Sequence, residues 1–167
     1  MFELGLYILA LQGVLGAFDT IYYHELIARL PSKAEAKVEL WLHSARDFIY
    51  AIVFCTLGWV AWNGKFAWLL ILLLLAEIII TLWDFVEEDC TRKLPAGERI
   101  THAVMGITYG VFLAYLLPEV FIWLRQPTGF ALVKTGIVKW LLTVMGIGVF
   151  ISGGRDLLST ILSSPKY

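Results

Sequence analysis

Apolar runs of about twenty residues recur along this chain, and they constrain its fold more than any other feature. In FAWLLILLLLAEIIITL, from Phe66 to Leu82, the single ionisable residue is Glu77. Charged residues make up 16% of the chain, where a soluble domain carries about 25%. In hydrocarbon every backbone polar group must be satisfied within the chain, so such runs become helices. The sequence therefore reads as an all-α integral membrane protein with the lipid bilayer as its first partner. The N-terminal run MFELGLYILALQGVLGAF has no positive leader, so it reads as a retained span. A net charge of -1 and the absence of a basic arm exclude a nucleic-acid partner. Cys55 and Cys90 form no disulfide framework.

Five spans are expected: roughly 2–23, 37–62, 66–88, 98–118 and 130–162. Pro118 ends or kinks the fourth, and 119–128 is an interfacial segment. Leu30-Pro31-Ser32 reads as a break that caps the second helix. Gly106 and Gly110 read as a packing pair. Basic residues concentrate after spans one and three, at Arg29, Lys33 and Lys37 and at Arg92, Lys93 and Arg99. The positive-inside rule then places the N-terminus outside and the C-terminus in the cytoplasm of an inner or plasma membrane.

The first four spans read as two copies, 1–62 and 63–125, with 126–167 supplying span five and a tail. Gln12 and Asp19 are seven apart, as are Glu77 and Asp84. Leu30-Pro31 answers Leu94-Pro95, Glu39-x-x-x-His43 answers Glu98-x-x-x-His102, and Tyr50 and Tyr109 each follow their histidine by seven. Both copies start on the same side, giving a parallel 2+2 repeat about an axis along the membrane normal.

The repeat points to one polar site. At 100° per residue, Glu77, Thr81, Asp84 and Glu88 fall within an arc of about 60°. A spacing of four puts Glu39, His43 and Asp47 on one face, and likewise Glu98 and His102. Most of these lie at the inferred cytoplasmic end; Glu77 is roughly 16 Å into its span. Ionisable groups so placed are expensive and are functional suspects. The set Asp19, Glu39, His43, Asp47, Asp84, Glu88, Glu98 and His102 reads as a dinuclear metal site, with Tyr50, Tyr109 and Glu77 facing a substrate. Imidazole with carboxylate suits iron, else manganese or zinc. The pattern resembles ferritin-like di-iron carboxylate bundles, although those space glutamate and histidine by three. The site reads as that of a small metalloenzyme: with iron an oxidoreductase acting on a lipid or quinone, with zinc a hydrolase acting on a lipid.

Blander readings apply to several residues. Glu39 and Glu98 suit the first turn of a helix. His24 and Glu25 read as a solvated loop, and Glu87 and Asp89 as water-facing. Arg46 with Asp47, and Arg155 with Asp156, read as ion pairs, and Gln12 with Glu77 as a hydrogen-bonded couple. Two other functions fit the same features. One is a proton or divalent-cation transporter using Glu77; the other is an accessory subunit, or a homo-oligomer, joined through span five.

Overall fold

A computed structural model describes residues 1–33 and 36–162. It is mostly helical. The expected polar connection at 34–35 and the tail at 163–167 lie outside the described residues. Helix α1, Phe2–Phe18, continues without a break into a wider π-helical segment, Asp19–Ile27. Arg29 then takes a left-handed conformation at φ 52°, and Leu30–Ser32 form a single tight turn. Helix α2, Lys37–Leu57, begins several residues after Ser32, so Ser32 does not cap it. Helices α3, Lys65–Thr91, and α4, Ala96–Trp123, are joined by a short loop around Pro95. Helix α5 is Val138–Leu162.

Four of these helical stretches are long and apolar enough to cross a membrane: Phe2–Ile27, Lys65–Thr91, Ala96–Trp123 and Val138–Leu162. This is consistent with a membrane protein. Helix α2 is not among them, because Lys37, Glu39, Arg46 and Asp47 crowd its first half. Large aliphatic side chains face outward in number, while several carboxylates are buried. Leu72, Ile79, Val86, Ile100, Ile107 and Phe121 are exposed, whereas Asp19, Glu39, Asp84, Glu88 and Glu98 are buried. A face of large aliphatic side chains around buried carboxylates suits hydrocarbon outside and a polar site within.

Two short strands were not expected. β1, Val60–Asn63, pairs antiparallel with β2, Gly129–Leu132, in the register Val60 with Leu132 and Asn63 with Gly129. The ribbon ties the α2–α3 connection to the α4–α5 connection. The fifth helix therefore starts at Val138, not near Phe130. Gly64 follows β1 at φ 60°, where a Cβ would also run into Thr128. Pro118 does not end α4, which runs on to Trp123. Proline removes one helical hydrogen bond, a loss that membrane helices tolerate when neighbours compensate.

Helix α5 packs along α2 most extensively and also touches α1; α1 pairs with α4, and α2 with α3. Glycines set the α2–α5 approach. A Cβ on Gly153 would lie 2.9 Å from the Asp47 Cβ, and one on Gly146 would lie 3.2 Å from the Phe54 Cβ. The apolar core occupies the ribbon end, around Leu9, Phe54, Leu57, Leu70, Phe112 and Leu142. The opposite end of the same helices carries the polar site.

Candidate metal centre

Each helix delivers its polar residues by its own periodicity. Glu39 and His43 are one turn apart on α2, Asp84 and Glu88 one turn apart on α3, and Glu98 and His102 one turn apart on α4. Asp19 begins the π-helical segment, and that segment adds His24. In an α-helix a residue five positions on is turned by about 140° from the first. A helix bonded i to i+5 is wound more loosely and cuts that angle to roughly 50°. His24 therefore joins Asp19 on the inward face and is 4% exposed, where a solvated loop was expected.

The donor atoms fall into two overlapping groups. Asp19, His24, Glu98 and His102 form one; His24, Glu39, His43 and Glu88 form the other. In each group the donor atoms lie within 4.8 Å of one another, and every member is buried except His102, whose side chain is 11% exposed. His24 Nε2 is 3.3 Å from Asp19 Oδ2, 3.5 Å from Glu98 Oε1 and 3.9 Å from Glu88 Oε1. His102 Nε2 is 3.2 Å from Asp19 Oδ2, and its Nδ1 is 3.5 Å from Glu88 Oε2. His43 Nε2 lies 3.0 Å from Asp84 Oδ2 and its ring stacks on His24 at 4.5 Å.

Several of these contacts are close without being hydrogen bonds. Asp19 Oδ1, both ring nitrogens of His24, Glu39 Oε2, His43 Nε2, Asp84 Oδ1 and Glu88 Oε2 are buried with no hydrogen-bond partner. Buried polar atoms are ordinarily paired, so this concentration requires an explanation. Metal–ligand bonds of about 2.0–2.2 Å put neighbouring donors roughly 3.0–3.5 Å apart. In the first group the separations of 3.2, 3.3 and 3.5 Å fall in that range, while in the second His24 and Glu88 are 3.9 Å apart. The buried His, Asp and Glu groups are thus a set that could bind metal.

Arg92 is the counter-charge that was not anticipated. Its guanidinium donates to Glu98 Oε1 at 2.6 Å, Glu39 Oε1 at 3.0 Å and Glu88 Oε1 at 3.1 Å. Burial alone would lower its proton affinity, but the hydrogen bonds to Glu98 and Glu39 outweigh burial and raise it. It stays a cation, binding both oxygens of Glu98 and one oxygen each of Glu39 and Glu88. Glu39 Oε2 and Glu88 Oε2 remain unpaired beside it.

The remaining expected residues divide. Asp84 lies outside both groups but touches His43, and it accepts a hydrogen bond from Arg46 at 3.0 Å. Arg46 thus pairs with Asp84, not with its neighbour Asp47. Asp47 faces Gly153 on α5, away from the cluster. Arg155 pairs with Asp156 at 2.8 Å and also with Glu25, so Glu25 too is engaged by α5. Asp89 is exposed and pairs with Arg99 at 3.3 Å.

Tyr50, Glu77 and Tyr109 line a cavity of about 320 Å³ whose wall also includes Asp19 and His102. Gln12 donates to the Tyr50 hydroxyl at 3.5 Å, and Glu77 accepts from Thr81 at 2.9 Å, so Gln12 and Glu77 each have a different partner from the one expected. Gly106 and Gly110 line this cavity too, and a Cβ on either would meet nothing within 4 Å. They provide space; they do not bring two helices together. No family model, curated protein or solved structure matches the chain.

Proposed function

We propose that this chain is a membrane-embedded metalloprotein whose first four helices hold two divalent ions, iron in preference to manganese or zinc. It would act as a small enzyme on a substrate from the lipid phase. Asp19, His24, Glu98 and His102 would serve one ion, and Glu39, His43 and Glu88 the other. Glu88 suits a bridge, since its two oxygens face His24 and His102. Asp84 would orient His43, as carboxylates orient ligating imidazoles elsewhere. Tyr50, Tyr109 and Glu77 would contact the substrate. Iron would make the protein an oxidoreductase, and zinc a hydrolase.

One observation carries this reading: buried nitrogen and oxygen donors from four helical segments gather in two groups, each within 4.8 Å, and those from three of the segments include atoms with no hydrogen-bond partner. The duplication we infer from sequence adds support. Residues equivalent by spacing pair crosswise, His43 with Asp84 and His102 with Asp19, while Glu39 and Glu98 share Arg92. The test is elemental mass spectrometry of detergent-purified protein beside a His43→Ala/His102→Ala double variant. About two equivalents of one metal, lost in the variant, is the expected result. No metal in either sample after reloading with Fe²⁺, Mn²⁺ and Zn²⁺ would overturn it.

A further inference from the structure

We propose that the cavity below the metal groups binds an apolar phenol or hydroquinone, hydroxyl first, from the lipid phase. This names the substrate class for the enzyme reading above and rests on that reading only where it links the cavity to the metal. The cavity itself stands on separate observations. Three buried polar atoms in its lining make no hydrogen bond of good geometry, Gln12 Oε1, Glu77 Oε2 and Tyr109 Oη, and the last two belong to side chains within interaction range of each other. Their residues are 5%, 4% and 8% exposed. Leaving such groups unpaired costs free energy, which a bound ligand would recover.

The unpaired set selects the ligand's head. Gln12 Oε1 is an acceptor, and Glu77 Oε2 accepts when ionised. Only Tyr109 offers a donor. A ligand with a hydroxyl satisfies acceptors and donor together, whereas a carbonyl alone would leave Gln12 Oε1 and Glu77 Oε2 without a donor. The rest of the lining selects the body. Ile78, Leu82, Phe85, Met105 and Leu113 are apolar. Gly106 and Gly110, one turn apart, leave a side-chain-free strip in the wall. The Tyr50 and Tyr109 rings, with centroids 6.2 Å apart, form another part of it. A bare strip beside aromatic rings suits a planar ring, which stacks or packs edge-on. The volume falls at the low end of the range for small-ligand sites. Asp19 and His102 bring the metal groups to the same cavity.

The test uses metal-loaded full-length protein in detergent, with tetramethylhydroquinone and its dimethyl ether as probes. Both are titrated by calorimetry without oxygen, with the metal reduced. The hydroquinone should bind at least about tenfold more tightly than the ether. Tyr109→Phe should weaken it about fivefold or more, and Gly106→Leu should abolish binding by filling the strip. Metal content, measured on the same samples, should not change. Equal binding of hydroquinone and ether, undiminished binding to Gly106→Leu, or no binding to metal-replete wild type would overturn the proposal. Gly110→Leu gives the same reading if Gly106→Leu loses its metal or fails to fold. Hydroquinone binding to a protein that takes up no metal would keep this site and remove the metalloenzyme reading.

Discussion

His24 and Arg92 each contact three of the buried carboxylates at the polar end. The position matching His24 by spacing from Asp84 is Asp89, which is exposed. His24 stands in both donor groups, so His24→Ala should cost more than His43→Ala or His102→Ala. Metal affinity should fall by about 10–100-fold or more, read by competition with a chelator of known affinity. Unchanged affinity would remove His24 from the ligand set. Arg92 has a different task. Without metal it is the cation that holds Glu39, Glu88 and Glu98 together. Removing one partner of a buried ion pair costs about 3–5 kcal/mol, because the other charges stay buried. Arg92→Met should therefore destabilise the metal-free protein by about that much in denaturant unfolding. Saturating metal should restore much of the loss, since ions offset the same carboxylates; at 100 times Kd a ligand adds about 2.7 kcal/mol per site. Equal destabilisation with and without metal would show that the ion sits elsewhere.

Two kinds of glycine mark the elements, and they should respond oppositely to one methyl group. Gly153 is where α5 meets α2, and its Cβ would lie 2.9 Å from that of Asp47. Gly153→Ala should destabilise by about 1–3 kcal/mol through overpacking. Gly106→Ala adds its methyl to open space and should be neutral or gain about 0.5–1 kcal/mol of helix propensity. Thermal unfolding of both variants in one detergent checks the contrast, and equal effects would refute the packing assignment. The same elements show how far the sequence could be read. Long apolar runs announce α3 and α4, because nothing else places twenty such residues together. Spacings of four and seven bring Glu39, His43, Asp84, Glu88, Glu98 and His102 to inward faces, since α-helical phase is regular there. His24 escapes that reading because the chain is π-helical from Asp19 to Ile27, and the 3.6-residue period misplaces it. Arg92 escapes because it lies in the loop past the end of α3. The ribbon escapes because Phe130-Ala131-Leu132 is as apolar as the helix that follows it. GxxxG spacing alone cannot say whether glycines face a helix or a cavity.

At the scale of the molecule, the apolar core lies at the ribbon end and the unpaired carboxylates at the other, along the same helices. Helix α3 connects them. Its 27 residues span about 40 Å, more than the roughly 30 Å of a bilayer's hydrocarbon. Lys65, at the ribbon end, and Cys90, at the polar end, are both exposed and must emerge on opposite sides if α3 crosses. Arg92, Lys93 and Arg99 flank Cys90, so the positive-inside rule assigns that end to the cytoplasm. In a Cys55→Ser background, an impermeant maleimide should therefore label Cys90 only after cells are opened. With Cys90 also replaced, Lys65→Cys should label on intact cells. The reverse pattern would invert the topology and put the metal groups outside. Labelling of both from one side would show that α3 does not span. The outcome bears on chemistry as well as orientation. A site at the cytoplasmic end would face a reducing compartment, where ferrous iron persists, and a cavity further along the spans would be within reach of molecules that never leave the lipid.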